Sequence, residues 1–147
     1  MSGSLGLSRG NAPVGYTTPK FPSLSFHLTE TPYTSPLLFY SWDIYVFTVY
    51  WHLIFSVGFH VAIVAVAHII GRRVERKYLT RFLWTLLIYI ALGAFYGFAI
   101  GSFIGLLLGT VYRAGALHMT TWVPFTWGLL VMVFAIITSY EISAITS

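Results

Sequence analysis

The chain has 147 residues, of which 57% are hydrophobic and only 8% are charged. This composition excludes an ordinary soluble domain, in which about 25% of residues are charged, and it is typical of an integral membrane protein. The net charge of +4 comes mostly from one cluster, and the absence of cysteine excludes a disulfide framework and a thiolate metal site.

Residues 1–35 are rich in Ser, Pro, Gly and Thr, and they contain no apolar segment of the kind that a cleaved signal peptide needs. We expect this part to be a flexible tail with little structure of its own. In the stretch PLLFYSW, Ser35 and Pro36 resemble an N-cap and a first helical residue. This pattern predicts a short interfacial helix ahead of the first span.

From Pro36 onward the hydrophobic signal is almost continuous, and its interruptions divide residues 36–147 into three predicted spans. We place TM1 at about 43–70, TM2 at about 81–112 and TM3 at about 122–145. Each has the roughly 20 residues that are needed to cross about 30 Å of hydrocarbon. The sequence therefore predicts an all-α membrane protein, a three-helix transmembrane bundle that follows a mostly irregular N-terminal tail.

Polar residues recur at every fourth position of TM1: Thr48, His52, Ser56 and His60. Such groups normally face the interior of a bundle, where structural hydrogen bonding is the simplest interpretation and a proton or ion path is the alternative. Haem ligation by one helix is excluded, because His52 and His60 lie about 12 Å apart along it. TM2 and TM3 contain no histidine, so we predict neither a metal site nor a cofactor.

A basic cluster follows TM1 and is opposed only by Glu75: Arg72, Arg73, Arg76, Lys77 and Arg81. The positive-inside rule places this loop in the cytosol. The N-terminal tail and the TM2–TM3 loop are then lumenal, and the C-terminus is cytosolic. The same side chains either contact anionic phospholipids of the bilayer or merely set the topology.

TM2 carries a glycine at every fourth position: Gly93, Gly97, Gly101, Gly105 and Gly109. Each costs about 1 kcal/mol relative to alanine in an isolated helix, and close approach of a neighbouring backbone is the compensation available in a bilayer. We expect Gly58 and Ala62 of TM1 to form the matching surface within one chain. A homodimer, or a groove that admits a lipid chain or a partner helix, is the alternative.

Few acidic residues are available for chemistry. We predict two ion pairs at the membrane boundaries, Asp43 with Arg113 and Glu141 with His68. The sequence shows no nucleophile–base pattern, paired acids, phosphate-binding loop or HExxH motif. We therefore expect neither an enzyme nor a nucleic-acid-binding protein.

Several segments resemble the transmembrane protein 170 family: YWHLIFSVGFHV in TM1, YLTRF after the basic loop, VYRAG at the end of TM2, and the PF pair that follows. The positions that carry this resemblance are Trp51, Phe59, His60, Val61, Val111, Tyr112, Arg113, Ala114, Pro124 and Phe125. The resemblance covers roughly the last hundred residues and leaves the tail unmatched.

The resemblance implies a small, non-enzymatic three-span protein of the endoplasmic reticulum and nuclear envelope that organises membrane shape through helix packing and protein association. The alternative that it implies is a membrane subunit of a lipid-transport assembly, which anchors or feeds a large bridge-like lipid-transfer protein. A proton or ion channel, suggested by the polar row of TM1, is a third class.

Overall fold

The computed structural model describes residues 12, 15–24, 37–70 and 76–145. Its elements are β1 (Leu37–Leu38), α1 (Ser41–Ile70), α2 (Arg76–Ala114), β2 (Met119–Thr120) and α3 (Trp122–Ile145). The prediction of an all-α, three-helix membrane protein is confirmed. The interfacial helix predicted in PLLFYSW is wrong over Leu37–Leu38, which form a strand, and Ser35 and Pro36 lie outside the described residues.

The helices extend beyond the apolar segments that marked them in the sequence. α2 has 39 residues and begins at Arg76, whereas the hydrophobic signal of TM2 begins near Arg81. Hydropathy marks the part that crosses the bilayer, but charged residues can continue the same helix outside it. Both α1 and the apolar part of α2 are long enough to span a membrane, and α3 has a shorter apolar part, Trp122–Thr138.

α1 is the central element of the bundle. It packs against α2 from Ser41, which faces Gly109, to His68, whose ring lies 4.3 Å from the ring of Phe82. Its contact with α3 is less extensive, and among the described elements α2 and α3 both pack mainly on α1 rather than on each other. This arrangement leaves room between α2 and α3.

Two short strands close one end of the bundle, which we call the ribbon end. β1 and β2 are antiparallel, with Leu37 opposite Thr120 and Leu38 opposite Met119. The buried cluster beneath them consists of Leu38, Ile44, Phe47, Leu108 and Met119. The opposite end carries the connection between α1 and α2, and we call it the basic-loop end.

Residues 15–24 of the tail pack against the ribbon end. The ring of Phe21 lies 5.5 Å from that of Phe47 and 5.0 Å from that of Trp51. The Tyr16 hydroxyl donates a 2.7 Å hydrogen bond to the carbonyl oxygen of Leu37. Burial of Tyr16 raises the pKa of its phenol. The tail is therefore attached over these residues, because its aromatic side chains gain contact area on α1 that composition alone does not reveal.

α2 ends in a hydrogen-bonded cap. The amide of Leu117 donates to the carbonyl oxygen of Tyr112, and the amide of Ala116 donates to that of Arg113. This is a Schellman motif, in which the residue at the position of Ala116 adopts a left-handed conformation. Ala116 has φ of 51°, so a non-glycine residue occupies a position that usually favours glycine.

Candidate functional site

Five glycines of α2 are buried along one groove that faces α1: Gly93, Gly97, Gly101, Gly105 and Gly109. We call this the glycine groove. A Cβ atom on Gly97 would lie 2.9 Å from the carbonyl oxygen of His52 and 3.1 Å from Cα of Leu53. A Cβ atom on Gly101 would lie 3.1 Å from Cα of Val49. Because these neighbours include backbone atoms, the two helices meet backbone to backbone at the centre of the groove.

The ends of the groove contact α1 through its side chains and carbonyl groups. A Cβ atom on Gly93 would lie 3.0 Å from Nδ1 of His60, and one on Gly105 would lie 3.0 Å from Cδ2 of Tyr45. The groove thus runs along roughly 24 Å of α2 and receives side chains of α1 from end to end.

The small residues of α1 do not form the other side of this contact. Gly58 and Ala62 are exposed, and nothing lies within 4 Å of a Cβ atom built on Gly58. The prediction that these two residues match the glycine groove is therefore wrong. Gly58 follows Ser56 by two positions, which is a rotation of about 200° around the helix, so the two residues lie on opposite sides of α1.

The polar row of α1 faces α2, with Thr48, His52 and Ser56 buried and His60 half-buried. Each imidazole donates its Nδ1 hydrogen back along the helix, His52 to the carbonyl oxygen of Thr48 and His60 to that of Ser56, both at 2.8 Å. In the neutral rings, Nε2 is then an acceptor. These bonds return to backbone carbonyls and not to the next side chain, which favours structural hydrogen bonding over a proton path.

The described side chains include two hydrogen bonds that cross between α1 and α2. The Ser56 hydroxyl donates to the carbonyl oxygen of Gly93 at 2.8 Å. The hydroxyl groups of Tyr45 and Ser102 are 3.1 Å apart and share a hydrogen bond. The first bond lies within the glycine groove, where the missing side chain of Gly93 lets the serine reach the backbone of α2.

A glycine and an aromatic cluster hold α3 against α1. A Cβ atom on Gly128 would lie 2.9 Å from Cδ2 of Phe55 and 3.4 Å from Cβ of Trp51. The ring of Phe125 lies 4.9 Å from that of Trp51 in an edge-to-face arrangement. Sequence reasoning missed Gly128, although it is the single glycine in the predicted TM3 and so offered a signal.

An interhelical cleft of about 560 Å³ is lined by all three helices. Its lining includes Ser56, His60, Phe95, Tyr96, Met132 and Phe134. Phe95 and Phe134 are 75% and 66% exposed, so the side of the cleft that they line is open to the bilayer. The volume falls within the range of about 300–1,000 Å³ that is common for pockets that bind small molecules.

Comparison with known proteins places the chain in a family. The sequence model of the transmembrane protein 170A/B-like family matches residues 37–146. The chain belongs to this family. A Saccharomyces cerevisiae relative, "Uncharacterized protein YPR153W", is 33% identical over 135 residues, which cover 92% of this chain and 93% of that protein. No solved structure matches the chain.

Several of the positions that carry the family resemblance lie in the contacts described above. Trp51 and Phe125 connect α1 to α3, and Phe59 and His60 line the interhelical cleft. Residues 111–114, the VYRA motif of Val111, Tyr112, Arg113 and Ala114, form the last turn of α2. Tyr112 and Arg113 supply carbonyl groups to the Schellman cap, which gives this motif a structural role.

The predicted ion pair between Asp43 and Arg113 is wrong. Among the described residues, no ion pair joins these two; the Thr18 hydroxyl instead donates a 2.7 Å hydrogen bond to Oδ2 of Asp43. Asp43 lies in the first turn of α1 and Arg113 in the last turn of α2, so each charge is already favoured by its own helix dipole. The side chain of Glu141, predicted to pair with His68, lies outside the described side chains.

The structure describes only part of the predicted anionic-lipid contact. Arg72 and Arg73 lie outside the described residues. Arg76 and Lys77 belong to α2, but the structure does not describe their side chains. Arg81 is exposed and lines a groove of about 200 Å³ between α1 and α2 at the basic-loop end. A cation beside an apolar groove suits the phosphate and acyl chain of a phospholipid.

Proposed function

We propose that this transmembrane protein 170A/B-like protein is a non-enzymatic organiser of membrane shape in the endoplasmic reticulum and nuclear envelope. It acts through a tightly packed helix pair and through association with lipid and other membrane proteins. The location follows from the family resemblance, and the basic loop supports a cytosolic position for the connection between α1 and α2.

The observation that carries this proposal is the difference between the two halves of the bundle. The ribbon end is packed by two strands, a buried cluster and the attached part of the tail. The other half contains the interhelical cleft, which opens laterally. A membrane inclusion whose two halves differ in packing displaces lipid unequally in the two leaflets, which favours local curvature.

Reconstitution of the purified chain into liposomes tests this function. We expect tubules or strongly curved vesicles by electron microscopy as the protein-to-lipid ratio rises. Gly101→Leu places a large side chain against the backbone of Val49 and should reduce this deformation while the protein still inserts. Gly58→Leu is the matched control, because Gly58 is exposed and nothing lies near its Cβ position. Spherical liposomes at every protein density would refute the proposal.

A second candidate is a membrane subunit of a lipid-transport assembly that anchors or feeds a bridge-like lipid-transfer protein. The lateral opening of the interhelical cleft favours it, because a lipid or a partner helix can reach Ser56 and His60 from that side. Stoichiometric copurification of a large lipid-transfer chain from native membranes would support this candidate. Liposome deformation by the isolated protein would instead support the first.

A further inference from the structure

His52 has a buried hydrogen-bond acceptor that has no partner within the described part of the chain. The side chain is 3% exposed, and its Nδ1 hydrogen is donated to Thr48. Among the described residues, no group donates a hydrogen bond to Nε2. Buried polar atoms in folded proteins nearly always have a partner, and a missing donor at this depth is more costly than at a surface. A donor from a bound molecule would satisfy this acceptor.

A narrow cavity of about 10 Å³ lies beside this imidazole. It has room for about one water-sized group, such as a hydroxyl. Gly97 of α2 and Gly128 of α3 both line it, so two missing side chains contribute to the space. The cavity borders the interhelical cleft, because both are lined by Ser56, Tyr96 and Met132.

We propose that the interhelical cleft binds a sterol whose hydroxyl group enters the narrow cavity and donates a hydrogen bond to Nε2 of His52. The apolar body of the ligand lies in the cleft, among the rings of Phe59, Phe95 and Phe134. Flat, rigid rings pack well against such aromatic side chains. This site is independent of the membrane-organising function proposed above.

The hydrogen-bonding groups of the cleft favour a sterol over diacylglycerol, which also has one hydroxyl and an apolar body. His60 adds a second imidazole whose Nδ1 hydrogen is already donated, so its Nε2 is another acceptor. The hydroxyls of Ser56 and Thr138 already donate to the carbonyl oxygens of Gly93 and Phe134, which leaves the Tyr96 hydroxyl as a donor among the described lining residues. The ester oxygens of diacylglycerol would therefore meet more acceptors than donors, whereas a sterol has a single hydroxyl and no ester.

A pair of matched ligands tests the hydrogen bond. Cholesterol and cholest-4-en-3-one share nearly the same body, but the ketone has no hydrogen-bond donor. We expect the full-length protein in nanodiscs to bind cholesterol about tenfold more tightly, as measured by competition with a photoreactive sterol. In His52→Leu, the ratio of the affinities for cholesterol and the ketone should fall to near one. His118→Leu, which changes an exposed histidine outside the cleft, should retain it. A folding defect would weaken both ligands alike, so the ratio separates recognition from stability.

A second pair of variants tests the location. Met132→Trp fills the cleft and the narrow cavity from α3 and should abolish sterol crosslinking. Leu130→Trp adds the same ring at a position that is 60% exposed, and it should bind as the wild type does. Equal affinity of the wild type for the two ligands, a preference unchanged in His52→Leu, or full crosslinking in Met132→Trp would overturn the proposal. The proposal would also be overturned if diacylglycerol competed with the photoreactive sterol more strongly than cholesterol does. It would likewise be overturned if neither cholesterol nor diacylglycerol competed.

Discussion

Replacing Gly97 by alanine is the most direct test of the contact between α1 and α2. The added methyl group would lie 2.9 Å from the carbonyl oxygen of His52 and 3.1 Å from Cα of Leu53, whereas ordinary contacts begin at 3.4 Å. Because these are backbone atoms, α2 must move away by about 0.5 Å along this stretch. A gap of that size removes a quarter or more of the dispersion energy of each neighbouring contact.

Two contributions lower the free energy of unfolding of Gly97→Ala, and one raises it. Overpacking costs about 1–3 kcal/mol, and separation weakens the hydrogen bond from Ser56 to Gly93, which is worth about 0.6 kcal/mol. The higher helix propensity of alanine returns about 1 kcal/mol. If the hydrogen bond is lost, these contributions sum to a reduction of about 0.5–2.5 kcal/mol in the free energy of unfolding of Gly97→Ala.

Equilibrium unfolding by SDS in mixed micelles, followed by tryptophan fluorescence, measures this change. Gly58→Ala is the matched control on α1, because its added methyl group meets nothing within 4 Å. It should leave stability unchanged or raise it by up to about 1 kcal/mol through helix propensity. If Gly97→Ala is as stable as the wild type, or if both variants are equally destabilised, close backbone approach does not hold the two helices together.

Three further changes have defined outcomes. Ala116→Gly should raise the free energy of unfolding by about 1 kcal/mol in the same assay, because glycine adopts the left-handed cap without steric cost; a lower value would contradict this. Ser56→Ala should cost only about 0.6 kcal/mol, and a loss above about 2 kcal/mol would show that this hydrogen bond, rather than packing, joins the helices. The pKa of Tyr16 is raised above 10.0 by burial, so docking of the tail is fully stable below that pH and weakens above it, as the undocked phenol ionises. Limited proteolysis of the tail should therefore accelerate above about pH 10 in the wild type but not in Tyr16→Phe, and equal acceleration in both would contradict this assignment.

The sequence predicts those features that depend on local rules. Continuous hydrophobicity predicts three helices, and four-residue glycine spacing predicts one bare face on α2, which the structure places against α1. The rotation of α1 cannot be read in the same way, because tertiary contacts decide which face turns toward the partner. Gly58 and Ala62 therefore look suitable in the sequence but are exposed in the fold.

Long-range pairing is the other feature that sequence reasoning misses. Asp43 and Arg113 are expected at matching depths from the sequence, yet depth does not fix the distance between two helix ends. Thr18 instead supplies a hydrogen bond to the carboxylate. The packing of Phe21 against α1 could not be predicted from the sequence either, because a segment rich in proline and serine is expected to remain unpacked. Phe21 packs between neighbouring rings of α1, and the hydrogen bond from Tyr16 to Leu37 adds to the attachment of this part of the tail.

The two halves of the bundle use missing side chains for different purposes. Near the ribbon end, Gly105 and Gly109 bring α2 close to the first turns of α1, where the strands and the buried cluster complete a closed core. At the level of His52, Gly97 and Gly128 face a narrow cavity from opposite helices, so the absent side chains also leave space beside a buried imidazole. Packing alone does not require an unsatisfied acceptor at this level, since an apolar residue in place of His52 would avoid the desolvation penalty. If the proposed sterol site exists, the half that opens to the bilayer carries a stability cost that lipid recognition explains, and the lateral opening of the cleft is the route by which a lipid reaches it.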